Sequence, residues 1–314
     1  QRAPRGEDLD RSHPVAIFLG RSPILADGEV LAMHAHQAQQ LLREGHPQEA
    51  LQSLQAEIRK APADSELRVF LFQLLAVMGQ WERALTQLRV LSEMDPATLP
   101  MVRTYREAIQ CELLRADVFA GRRSPLIFGD PESWVALLLE ALRRSADGHH
   151  DQAREVRERA FEAAEVVSGT LDDQPFAWIA DADPRLGPML EAIVNGRYYW
   201  IPFQRIRTIA FEQPVDLRDC VWMPAQFTWA NGGETVGFIP ARYPDSQAST
   251  DPLVQLGRKT AWLENESGTC VGLGQRMLAT DGDEYPLLDI RRIELDFQED
   301  PTEEIKLEAG IGDG

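Results

Sequence analysis

The side chains that could do chemistry stand apart from one another in this chain. His34 and His36 could invite a metal, but residues two apart on a helix project roughly 200° from each other, so a surface or packing role is the better reading. His149 and His150 follow Gly148 and read as part of a hairpin loop. Asp281-Gly282-Asp283-Glu284 resembles the opening of a calcium loop, yet the remaining ligand spacing and the closing Glu are missing, and a turn explains it. Asp181 and Asp183 could pair as carboxylates, but Asp183 directly before Pro184 reads as a helix cap. Cys111, Cys220 and Cys270 fit no metal or redox spacing, so reduced and packed thiols are expected. Neither a phosphate-binding GxxxxGK[ST] nor HExxH, GxSxG or CxxC occurs, and Gly272-Leu273-Gly274 falls inside a predicted strand. No catalytic residue, cofactor or metal is therefore expected, and the chain is read as a binder rather than an enzyme.

The chemistry that remains is recognition by rings and by a helical surface. Tyr198, Tyr199, Trp200, Phe203, Trp222, Phe227 and Trp229 crowd into one short stretch. Neighbours in a strand point to opposite faces, so Tyr198, Tyr199 and Trp200 cannot all enter one core. Two readings account for the rings. They form a contact between two domains, or they anchor a partner, as exposed Trp and Tyr often do.

The elements that must position these residues begin with a repeat. Gly45, Ala50, Leu51, Leu54 and Pro62 recur 34 residues later as Gly79, Ala84, Leu85, Leu88 and Pro96. That period is the signature of a tetratricopeptide repeat, two helices joined by a tight turn. The Gly serves the turn, the Ala lets the helices cross closely, and the Pro ends the second helix. Such repeats build surfaces that hold other proteins. Within the second repeat, the inner face of the first helix would present Glu66, Val69, Gln73 and Ala76 to a partner.

The helical period runs over residues 30–195. Leu31–Arg43 with Gln48–Lys60 and Glu66–Met78 with Trp81–Met94 form two hairpins, and Asp64 and Asp95 are each placed to cap a new helical segment. A long amphipathic helix covers Met101–Ala120, and Asp130-Pro131-Glu132 opens another. A third Gly–Ala signal, Gly148 to Ala153, introduces a helix over Gln152–Val166, and a last helix is expected from Asp183-Pro184 to just before Gly196. From residue 196 to 297 the period becomes two. Arg197–Phe203, Arg205–Phe211, Cys220–Ala230, Thr235–Pro240, Lys259–Glu264, Thr269–Ala279 and Tyr285–Phe297 read as strands separated by turn residues. Consecutive strands without crossover helices imply an antiparallel sheet or small barrel. The fold class is thus α+β in two domains: a tetratricopeptide-like helical solenoid, then a mainly antiparallel β domain. Residues 1–29 read as a flexible leader and 298–314 as an acidic tail.

Composition bounds the partners. With 44% hydrophobic residues in 314, the chain has enough apolar material for two cores. Thirty-two Lys and Arg against fifty Asp and Glu give a net charge of −18, which argues against nucleic acid or an anionic membrane as the main partner. Twelve of the acids and only three of the bases lie from Asp281 onward, so half of the excess sits in the last tenth of the chain. No apolar run approaches the ~18 residues of a membrane span. Val15-Ala16-Ile17-Phe18-Leu19 is too short for a signal-peptide core, and a cytoplasmic location is expected.

Several segments also carry a resemblance. The run Leu67–Leu75 followed by Gly79-Gln80-Trp81-Glu82-Arg83-Ala84 is similar to the ImpE family, also called TagJ. So are Gly196-Arg197-Tyr198-Tyr199-Trp200-Ile201-Pro202-Phe203, Asp216-Leu217-Arg218-Asp219, the stretch Trp222–Gly233, and Gly272-Leu273-Gly274-Gln275-Arg276-Met277-Leu278. The likeness extends in one order from about residue 35 to 297 and leaves out the leader and the tail. It implies an accessory component of a bacterial type VI secretion system: a cytoplasmic adaptor that binds an N-terminal segment of the small contractile-sheath subunit TssB. It also implies a link to sheath assembly or to disassembly by the ATPase ClpV. Two other functions compete with it, a hydrolase whose site assembles from distant residues and a chaperone-like carrier of a secreted effector.

Overall fold

The computed structural model describes residues 32–130 and 132–296. The expected leader at 1–29, the tail at 298–314 and Pro131 lie outside the described residues. The repeat folds as its spacing requires. Helices α1 (Ala32–Arg43) and α2 (Pro47–Lys60) make one hairpin, and α3 (Ser65–Val77) and α4 (Trp81–Met94) the next. The turn glycine Gly79 has φ +65°, and a Cβ there would also collide with the Gln247 side chain, so this position takes Gly for two reasons. Asp64 caps α3, its carboxylate accepting from the backbone of Glu66 and Leu67 at 3.0 and 3.1 Å. Asp95 instead caps a single 3₁₀ turn, Pro96–Thr98, that leads into α5 (Leu99–Phe119). Helices α6 (Ser133–Ala146) and α7 (His150–Ala163) form the last hairpin. A short α8 (Pro252–Gln255) stands among the strands.

The helical part ends at Ala163, not at residue 195, and this corrects the expected domain boundary. Residues 169–194 hold four strands: β1 (Leu126–Ile127) precedes them, and they are β2 (Gly169–Leu171), β3 (Gln174–Phe176), β4 (Ile179–Asp181) and β5 (Met189–Val194). The expected helix after Asp183-Pro184 is β5. Every residue of Met189–Val194 is buried, so the strand has no polar alternation and its apolar run looks like a helix in sequence. Asn195-Gly196 closes it into a two-residue hairpin, with both residues at positive φ (50° and 70°) and Val194 paired with Arg197.

The later strands follow their predicted positions: β6 (Arg197–Pro202), β7 (Ile206–Phe211), β8 (Trp222–Trp229), β9 (Glu234–Pro240) and β10 (Thr260–Glu264). Two expected long strands are each broken in two, giving β11 (Cys270–Gly274) with β12 (Met277–Thr280), and β13 (Glu284–Pro286) with β14 (Arg292–Leu295). Nine strands form one sheet in the order β1-β6-β5-β9-β8-β7-β14-β2-β3. All pairs are antiparallel except β1 with β6. The sheet is open, with β1 and β3 at its edges, so it is a sheet and not a barrel. A three-stranded sheet, β13-β12-β4, and the hairpin β10-β11 complete the β part.

The large sheet has a buried face on each side. Along β5, Met189 and Ile193 join the core shared with the helices, while Leu190, Ala192 and Val194 join the core on the far side. Along β6, Tyr198 and Trp200 face the helices and Ile201 faces away. The helices are therefore not a separate body. Phe72, Leu74, Tyr105 and Ile109 share one continuous core with Trp200, Trp222 and Phe238 of the sheet.

Candidate functional site

The strand alternation that sends Met189 and Ile193 toward the helices sends Glu191 there as well, and its side chain is fully buried. A lone carboxylate in such a place would cost several kcal/mol. Three groups answer it directly. Arg115 of α5 donates Nε to Oε1 at 2.7 Å and Nη2 to Oε2 at 2.9 Å, a bidentate pair. The Tyr198 hydroxyl and Arg276 Nη2 make further short contacts to the same carboxylate, and Trp200 Nε1 donates to the Tyr198 hydroxyl at 2.7 Å. Arg276 extends the network by pairing with Asp181, which also accepts from the Asp183 backbone N–H at 2.8 Å and the Tyr243 hydroxyl at 3.2 Å.

Two arginines and two carboxylates balance in this interior. Burial raises the Glu191 carboxyl, but Arg115 and Arg276 outweigh it and hold the group at about 2. Burial pushes Asp181 up to about 6, with Arg276 pulling the other way. Arg242 lies nearby, donating Nη1 to the Val77 carbonyl at 2.8 Å, and burial lowers it to about 10. Arg115 Nη2 in turn donates to the Arg242 carbonyl at 2.8 Å. The network thus bonds α3, α5, β4, β5, β6 and the residue just before β12 together, and its chemistry is that of a fastener.

The residues singled out in sequence are spread through this interior. Val69, Gln73 and Ala76 are buried and Glu66 half-buried, so the inner face of the second repeat is not an open groove. The chain fills it with its own segment, a 3₁₀ turn over Leu217–Cys220. Gln73 donates Nε2 to Asp216 at 3.4 Å and accepts from the Leu217 backbone at 3.2 Å. Arg218 lies over the Tyr105 ring at 4.6 Å and pairs with Asp216. Trp222 packs on Trp81 and Tyr105, with centroids 6.0 and 5.5 Å apart. Tyr198, Trp200 and Trp222 thus seal the sheet to the helices. Phe227 and Trp229 stack at 4.9 Å in the far core, and half-buried Tyr199 packs beside them. The rings face inward.

Sequence reasoning missed Glu191, Arg115, Asp181 and Arg276. The one available signal was a Glu inside the apolar run Met-Leu-Glu-Ala-Ile-Val, which a buried strand tolerates only with a partner. Cys111 is buried and its thiol is pushed up to about 12, chiefly by desolvation, as expected of a packed thiol, whereas Cys220 is half-buried and Cys270 is exposed, so packing does not hold for all three. Among the described residues, no group of three or more His, Cys, Asp and Glu side chains is disposed to hold a metal. Nor is any described helix long and apolar enough to cross a membrane.

Open surface is found elsewhere. A groove of about 750 Å³ runs between the end of α4 and the first half of α5, lined by Ser92, Leu99, Val102, Arg103, Arg106 and Gln110 among others. A shallower depression of about 460 Å³ lies between α7 and the β10-β11 hairpin, with Arg154, Phe161 and Trp262 on its walls.

A helical repeat fused through one core to an open, mainly antiparallel sheet defines a class of protein, and comparison with known proteins identifies it. The tetratricopeptide repeat model matches residues 41–109, and the ImpE protein model matches residues 173–294. A Pseudomonas aeruginosa protein named type VI secretion system accessory component TagJ is 53% identical over 266 residues, covering 85% of this chain and 92% of that protein. The crystal structure of protein VPA1032 from Vibrio parahaemolyticus superposes with a TM-score of 0.76 at 26% identity, covering 83% of this chain and 98% of that one. The chain belongs to the ImpE family.

Proposed function

We propose that this chain is a non-enzymatic, cytoplasmic adaptor of a bacterial type VI secretion system. It binds an N-terminal segment of the small sheath subunit TssB and connects that subunit to sheath assembly or to ClpV-driven disassembly. The observation that carries this reading is the 53% identity, over most of both chains, with a protein named as an accessory component of that system. The tetratricopeptide architecture supports it, because stacked helical hairpins present faces and grooves that hold peptide segments. The ion network supports it too, since Glu191, Arg115, Asp181 and Arg276 spend their hydrogen bonds on one another and on the fold.

Affinity purification of the tagged chain from cells that assemble the secretion system tests the reading. Recovery of the sheath subunit supports the adaptor. Recovery of secreted effectors without the sheath subunit would contradict it and favour the carrier.

A further inference from the structure

Helix α5 lacks the mate that its position in the repeat calls for. Helices α1 and α2, α3 and α4, and α6 and α7 each form an antiparallel hairpin, whereas the chain after α5 leaves for β1 at the edge of the large sheet. The 750 Å³ groove between the end of α4 and the first half of α5 leaves open space along α5 where no helix of the chain follows it. One stripe of α5 stays exposed along it and beyond: Leu99, Arg103, Arg106, Gln110 and Leu113, at spacings of four, three, four and three. That is the spacing by which one helix meets another along a seam. Leu99 and Leu113, each 49% exposed, mark the two ends of the stripe, and two cations stand between them.

The charges indicate what fits. Among the described residues, neither Arg103 nor Arg106 has a carboxylate partner, although the chain as a whole carries −18. Glu107, also on the groove wall, has its carboxylate against the Gly196 turn. We propose that this groove is the docking seat for a single amphipathic helix of a partner. Its apolar residues meet Leu99 and Leu113, and its acids meet Arg103 and Arg106, so that the partner completes the third hairpin from outside. The proposal rests on the adaptor reading and assigns the seat for that partner. The basic groove on an acidic protein steers an acidic segment to this face and keeps a second copy of the chain away from it.

The test is fluorescence anisotropy with a labelled N-terminal peptide of the sheath subunit, using the full chain as wild type, R103E/R106E and R154E. The last variant alters the other open depression. The double variant is expected to bind at least tenfold more weakly than wild type, and R154E to bind as wild type does. Raising the salt concentration is expected to weaken wild type more than R103E/R106E. All three positions are exposed, and thermal melting confirms that the variants are folded. Binding by R103E/R106E within twofold of wild type would overturn the groove and leave the adaptor reading standing. Loss on R154E alone would move the site to the other depression and also overturn it. If R103E/R106E turns a wild-type dimer into a monomer, the groove belongs to a second copy and the proposal fails. No binding by wild type would overturn the groove and the adaptor reading together.

Discussion

Arg115 grips both carboxylate oxygens of Glu191, at 2.7 and 2.9 Å, across 76 positions of sequence. The pair joins the long helix of the repeat to a central strand of the sheet, and both side chains are buried there. Whether such a pair adds net stability over apolar residues of the same shape is a separate matter, because both charges were desolvated to make it. Breaking it has a definite sign. Arg115→Met leaves Glu191 with Arg276 and Tyr198 alone and is expected to destabilise the fold by about 3 kcal/mol. Urea denaturation of the variant checks this; a midpoint equal to that of wild type would show that Glu191 needs no Arg115.

Acid should loosen the same joint. The Glu191 carboxyl is held at about 2, below its ordinary value of 4.5, so its stabilisation is present above about 4.5 and is lost as the pH falls toward 2. The shift corresponds to about 3 kcal/mol at most. Asp181, raised to about 6, acts with the opposite sign at higher pH: its contribution is present below its ordinary 3.8 and is lost as the pH rises through 6. Stability measured in urea at successive pH values is therefore expected to fall below about 4.5, and the fall should be smaller in Glu191→Gln. An equal acid dependence in that variant would remove Glu191 from the account.

Little of this network was legible in the sequence, and the reasons are physical. Arg276 reaches Asp181 across 95 positions and Glu191 across 85, and no local period records such pairings. The repeat was legible because each of its cues is local: a Gly at a turn, an Ala at a crossing, a cap at Asp64. The β part was legible wherever one face of a strand is less buried, as in β8, where buried and half-buried residues alternate from Met223 to Trp229. Both faces of β5 are buried, and that erased the alternation. The Asn195-Gly196 pair is a hairpin signal in the sequence, but the apolar run before it carries no period of two to mark a strand. The aromatic residues were correctly expected to divide between faces, but only the structure shows that both faces are interior.

That hairpin makes its own prediction. Gly196 has φ +70°, and a Cβ at this position would strike the Glu107 carboxylate. Gly196→Ala is expected to lower stability by about 1 kcal/mol, from the strain of the left-handed backbone, since the exposed Glu107 side chain can swing aside. A thermal melt unchanged within error would show that the turn relaxes without cost.

The thiols should separate by reactivity. Cys111 is buried and pushed up to about 12, whereas Cys270 is exposed. A thiol-reactive chromophore added to the native protein is expected to modify Cys270 promptly and Cys111 only after denaturant is added. Prompt modification of Cys111 in the native protein, seen by peptide mapping, would mean that the helix–sheet core opens readily.

The adaptor reading meets its most direct measurement in isothermal titration of the full chain with the N-terminal peptide of the sheath subunit TssB. Saturable heat at a single class of site, accompanied by a mobility shift of the complex, is the predicted result. Absence of both heat and shift would contradict the account.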